Sequence, residues 1–133
     1  MRKLPLCRIP GALLAWIGLA AVLPWSAAVA GPWEDGNLAY TRGNYVPAIE
    51  LLRPLARQGN ARAQKLLGRI YHHGDKTRNS VRALMWYEIA ASQGDAEAVA
   101  DRELIARDMT AEQIEDARAK AQLCLSSHYK RCR

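Results

Sequence analysis

The chain is 133 residues long and half apolar, with a net charge of +6 that sits at its ends: Arg2, Lys3 and Arg8 at one, Lys130, Arg131 and Arg133 at the other. Between Gly31 and Tyr129, 13 Asp and Glu face 13 Lys and Arg. A domain that neutralises phosphates carries an excess of cations over a folded face, so this balance argues against a nucleic-acid partner. The hundred or so residues after the first thirty suffice for one small core and no second lobe. With Phe absent, packing falls to Ala, Leu, Tyr and Trp, which suits closely spaced helices.

Residues 1–30 read as an address. Met1 to Pro10 is short and positive, Gly11 to Leu23 is an almost unbroken apolar run, and Pro24-Trp25-Ser26 ends it. Ala28-Val29-Ala30 then offers small residues at the two positions a signal peptidase reads, the layout of a secretory signal peptide cleaved after Ala30. The apolar run falls short of the roughly 20 residues a membrane span needs, so no stable span is expected after cleavage. Cys7 precedes the run and is not placed for lipid attachment. Export across a bacterial inner membrane, to the periplasm or beyond, is the expectation.

Residues 31–125 show helical periodicity. A first helix is expected at about 33–42, ended by Gly43. A second, at about 45–58, carries the stripe Ala48, Leu52, Leu55, Ala56 behind an Asn44 cap. Pro47 is tolerated in its first turn, whereas Pro54 removes a hydrogen bond and should bend it. The third, at about 61–73, is capped by Asn60 and striped by Ala63, Leu66, Leu67, Ile70 and Tyr71, with Gly68 allowing a close neighbour. Gly43 and Gly74 each follow a Tyr by three residues, which suits left-handed helix ends. The connection Asp75 to Ser80 is four residues longer than its earlier counterpart, which makes it the place for variation in surface chemistry.

A fourth helix follows an Asn79 cap at about 79–93 and a fifth follows Asp95 at about 96–107. The fifth has Asp101, Arg102 and Glu103 where the third has Leu66, Leu67 and Gly68, so that side must face water, as the end of a stack requires. Thr110-Ala111-Glu112-Gln113 is a capping box opening a last helix to about Leu123. Six helices thus pair into three antiparallel hairpins of an all-α fold, followed by a basic tail, residues 126–133.

The pattern repeats internally. Leu55-Ala56-Arg57-Gln58-Gly59-Asn60-Ala61-Arg62-Ala63 returns 35 residues later as Ala90-Ala91-Ser92-Gln93-Gly94-Asp95-Ala96-Glu97-Ala98. Together with Leu67-Gly68, Tyr71, Gly74, Ala83 and Trp86-Tyr87, these residues resemble the Sel1-like repeat, the longer-repeat branch of the tetratricopeptide superfamily. The resemblance covers about Trp33 to Leu125. The positions that carry it are Gly59, Leu67, Gly68, Tyr71, Gly74, Ala83, Trp86, Tyr87, Ala90, Ala91 and Gly94. The chain departs from the family at Asp75-Lys76-Thr77-Arg78-Asn79, where a glycine and a valine usually precede an acidic residue. The resemblance implies a short right-handed α-solenoid whose inner surface binds a partner protein or peptide.

Candidate chemistry is sparse. His72 and His73 are adjacent on a helix and point about 100° apart, a poor chelate. Motifs of hydrolases, phosphate loops and zinc sites are absent from the sequence, and neither a cofactor nor a metal is expected. Arg62, Lys65, Arg69 and His72 run along one side of the third helix as a basic ridge that could meet an acidic peptide or a polysaccharide; the alternative is a solvated face compensated by Glu97 and Asp101. On a continuous helix Cys124 and Cys132 would lie about 12 Å apart, beyond the roughly 7 Å a disulfide tolerates. A disulfide, expected in an oxidising compartment, therefore needs a turn at Ser126-Ser127; free thiols or metal binding by Cys124, His128 and Cys132 are the alternatives.

The sequence thus points to an exported, non-catalytic interaction scaffold whose partner is another protein or peptide. Two other readings are a β-lactam-binding or β-lactam-hydrolysing relative of cysteine-rich Sel1-like proteins and a factor delivered to a host. The address reading predicts that protein recovered from the periplasm begins at Gly31; intact-mass measurement checks this, and a chain retaining Met1 in the membrane fraction contradicts it.

Overall fold

A computed structural model describes residues 30–133; the signal-peptide expectation lies outside them. The described chain is six helices, α1 (Pro32–Thr41), α2 (Tyr45–Arg57), α3 (Ala61–His73), α4 (Ser80–Ser92), α5 (Ala96–Ala106) and α6 (Ala111–Ser126), with no strand among the described residues. None of these helices is long and apolar enough to cross a membrane.

The helix starts are set by short polar side chains. Asn60, Asn79 and Asp95 accept hydrogen bonds from the backbone N–H groups of Ala63, Arg82 and Ala98 at 3.0, 2.9 and 2.9 Å. Thr110 and Gln113 close a reciprocal capping box. Asn44 does not cap. In the tight α1–α2 turn its backbone N–H donates to the Ala39 carbonyl at 2.9 Å and its ψ is 69°, away from the values near 100° that aim Asn60, Asn79 and Asp95. Gly43, Gly59 and Gly94 make the left-handed turns, at φ +75°, +87° and +88°. Gly74 is extended instead, at φ −75° and ψ 124°, because the longer loop leads the chain away from α3 without reversing it there. It is still a position for glycine: an added Cβ would lie 2.7 Å from the Ile70 carbonyl oxygen, the atom to which the Thr77 hydroxyl donates.

The α3–α4 pair forms the centre of the fold, with Leu67, Ile70, Leu84, Tyr87 and Ile89 all essentially inaccessible. The Tyr87 ring lies against Gly68, so close that a Cβ there would sit 2.5 Å from two ring carbons. Gln64 is the polar exception in this core. Its Nε2 donates to the Ala56 carbonyl at 2.9 Å, a second bond to an oxygen in the last turn of α2 that also accepts from Gly59 N–H, and its Oε1 accepts from Gln93 Nε2 at 2.6 Å.

The arrangement is an all-α repeat solenoid whose last pair departs from the expected hairpin. Helices α5 and α6 each pack on α4 rather than on one another. The reason is compositional. α6 buries Ala117, Ala121 and Cys124, one stripe of small side chains that lets it approach α4, while α5 buries only Ala98 and Ile105 and offers no apolar face to a second partner.

Residues 126–133, expected as a tail, are folded. Helix α6 ends in a Schellman turn: Tyr129 N–H donates to the Cys124 carbonyl at 2.8 Å and His128 N–H to the Leu125 carbonyl at 3.0 Å. His128 and Tyr129 occupy the left-handed region, at φ 53° and 63°, where a glycine is usual. The reversal brings Cys132 back to Cys124, with Cα atoms 4.5 Å apart in a disulfide, and lays the Tyr129 ring over Gly59.

Gly68→Ala should test the central contact. On an open helix the change stabilises by up to about 1 kcal/mol, but overpacking against the immobile Tyr87 ring costs about 1–3 kcal/mol. Chemical denaturation is expected to show a net loss, of about 1–2 kcal/mol.

Candidate interaction surface

Helices α1, α3 and α5 stand side by side, and the ridge residues Arg62, Lys65, Arg69 and His72 lie along α3 between the other two. Their spacing puts them on the side of α3 away from its apolar stripe. The same spacing aims three of them at neighbours. Lys65 Nζ meets Asp95 Oδ2 at 3.2 Å and Glu97 Oε2 at 3.1 Å. Arg69 meets Glu97 Oε2 at 2.9 Å and Asp101 Oδ2 at 2.8 Å. Arg62 turns the other way and stacks its guanidinium 4.3 Å from the centroid of the Trp33 ring on α1. Of the two readings of this row, a basic ridge or a face compensated by Glu97 and Asp101, the contacts agree with the second: it is a set of bridges across three helices, because α5 presents a carboxylate about every fourth residue along the line where α3 presents its cations.

The electrostatics follow from these contacts. Lys65 and Arg69 hold the exposed Glu97 carboxyl below the ordinary carboxylate range. Burial pushes Asp95 upward, but the Ala98 N–H and Lys65 outweigh it and the net shift is downward. Burial likewise works against the Arg69 cation, yet Asp101 and Glu97 raise its pKa overall. His72 is pushed down by burial and by the adjacent His73, whose ring stacks on it at 4.0 Å. A neutral His72 can accept through Nδ1 from the Tyr87 hydroxyl, 3.3 Å away. That phenol is pushed well above its usual range, first by burial and then by Asp101.

What remains open on this side is a cleft of about 210 Å³ between α1 and α3, walled by Trp33, Asn37, Tyr40, Arg62 and Leu66 and reached also by the ion-paired Lys65 and Arg69. Trp33 was not singled out from the sequence, although an aromatic in the first turn beside Glu34 and Asp35 was the available signal. Glu88 was also missed: half-buried on α4, it holds Arg102 of α5 at 3.1 Å and Arg118 of α6 at 3.2 Å. The two cysteines meet each other and lie apart from the ridge, and no group of three or more His, Cys, Asp or Glu among the described residues is placed to hold a metal ion.

Capped helices, glycine turns and a motif recurring after 35 residues define a helical-repeat protein. Residues 61–95, which span α3, its loop, α4 and the turn beyond, match the Sel1 repeat family model. The chain thus contains a Sel1 repeat over residues 61–95. Comparisons with curated proteins and with solved structures returned no match. Sel1 repeats generally mediate protein–protein interaction and are typically non-catalytic scaffolds.

The lowered carboxyls have a consequence for stability. A carboxyl whose pKa is lower folded than unfolded contributes fully above the unfolded value, near 4, and loses that contribution as pH falls through the folded value. Lys65→Met with Arg69→Met is expected to lower the melting temperature at neutral pH by about 4 °C, since half-exposed pairs are individually weak. The gap between native and variant melts should narrow below about pH 4; circular dichroism melts across pH check both effects.

Proposed function

We propose that this chain is an exported adaptor of the bacterial envelope that docks a partner protein at the α1–α3 cleft and performs no catalysis. The observation that carries the docking site is the Trp33–Arg62 pair. A tryptophan and an arginine stacked at a cleft mouth, with Asn37 and Tyr40 beside them, are the residue types that dominate binding energy at protein interfaces. Lys65 and Arg69 also line this cleft, but their ion pairs tie them to α5 and leave Trp33 and Arg62 as its unpaired anchors.

Export is supported by the layout of residues 1–30 and by the Cys124–Cys132 disulfide, since such bonds persist in oxidising compartments and are rare where thiols are kept reduced. The adaptor role is supported by the Sel1 match and by the use of the polar side chains near α3 and α5 to join helices.

The test is a crosslinked pull-down from the periplasm with the native protein and with Trp33→Ala and Arg62→Ala. A specific partner should be retained by the native protein and depleted at least about tenfold by Trp33→Ala, the usual scale for losing an aromatic anchor. Equal recovery with both folded variants would contradict the docking site, and absence of the protein from the periplasm would contradict the envelope role.

A further inference from the structure

A second surface, on the α2–α4 side, shares no residue with the Trp33 cleft. Two clefts of about 340 and 180 Å³ join through Arg53, Tyr71 and Arg82 into one groove. Its walls carry six cationic side chains, Arg53, Arg57, Lys76, Arg78, Arg82 and Arg133, against one carboxylate side chain, Glu50. Among the described residues none of the six makes an ion pair. Arg82 rests 5.6 Å from the Tyr71 ring centroid, and Arg78 Nε donates to the His72 carbonyl at 3.4 Å. The carboxylates that could have neutralised the groove lie elsewhere: Asp95, Glu97 and Asp101 serve α3, and Glu88 serves Arg102 and Arg118. Like charges gathered without counter-charge repel one another, and an anionic ligand relieves that repulsion.

The shape of the groove narrows the ligand. From Val46 to Arg57 it follows α2 for about 16 Å, the length of about five residues of extended chain. Arg53 and Arg57 stand one helical turn apart, about 6 Å along the axis. Alternate side chains of an extended peptide repeat at nearly the same interval, about 6.6 Å. Between the cations, Tyr71, Met85 and Trp86 supply a largely buried apolar floor. Cys132 closes one end, and its bond to Cys124 is what carries Arg133 to the wall. We propose that this groove binds an extended acidic segment of a partner protein, about five residues long, with Asp or Glu at alternate positions. Cations spread along a line fit such a segment better than a single phosphate, which calls for donors converging on one point.

The experiment measures fluorescence anisotropy of a labelled peptide in which Glu and Ala alternate, titrated with the purified, oxidised protein at low ionic strength. Saturable binding is expected, loosened at least about tenfold by Arg53→Glu with Arg82→Glu and weakened by added salt. An isomeric peptide with its Glu residues contiguous should bind about threefold more weakly, and Cys132→Ser should loosen binding severalfold by releasing Arg133. Arg62→Glu, on the other face, should leave peptide binding unchanged, and Arg53→Glu with Arg82→Glu should leave Trp33-dependent pull-down unchanged, so this groove and the α1–α3 docking site can fail separately. Should the double reversal lose its helical circular dichroism, Arg57→Ala and Arg82→Ala, both at exposed positions, carry the same test with about threefold losses each. The proposal is overturned by absence of saturable binding, by native affinity in the folded double variant, or by inorganic phosphate or phosphatidylglycerol vesicles binding the groove more tightly than the peptide.

Discussion

The close approach of Tyr87 to Gly68 organises the rest of the molecule. With no side chain at Gly68, an aromatic ring lies against the α3 backbone, and the α3–α4 interface forms around it. The other elements take their positions from this pair: α2 packs on α3, and α5 and α6 both pack on α4. The same ring sends its hydroxyl toward His72, so one residue spans the interior and the edge of the surface that carries the ion pairs. A larger residue at 68 would separate α3 from α4 and loosen every contact built on them.

Much of this was legible in the sequence because it is local. Helix extents follow from apolar spacing, Asn60, Asn79, Asp95 and Thr110 start helices through bonds to residues three positions on, and Gly68 stood out beside an apolar stripe. The exceptions are also instructive. Asn44 has the right chemistry but sits in a turn too tight to aim it, and Gly74 is required by crowding rather than by a positive φ. His128 and Tyr129 take up left-handed geometry that their residue types do not advertise. Turn geometry set by contacts within a few residues decides all three, and residue type alone does not specify that geometry.

The candidate surfaces were less legible, since charge along a chain says nothing about how helices share it out. Between Gly31 and Tyr129 acids and bases balance, yet folding separates them. Carboxylates of α5 are drawn to Lys65 and Arg69, whereas Arg53, Arg57 and Arg82 gather where only Glu50 can answer. A sum over sequence is blind to that partition. Gln64 was equally hidden: in a helical wheel it is one more polar residue, and only the Ala56 carbonyl and the amide of Gln93 explain its burial.

The position of Tyr129 changes what kind of repeat protein this is. In an open solenoid each unit touches only its neighbours, and unfolding can begin at either end and travel. Here a residue five positions after Cys124, the last of the buried stripe of α6, lies over Gly59, at the boundary between the first pair of helices and the second. Contacts that distant in sequence raise the topological complexity of a short helical array and couple its C-terminal end to the junction between its first two helix pairs. The chain therefore gains the all-or-none melting of a globular domain from a fold whose architecture would otherwise allow it to fray one unit at a time.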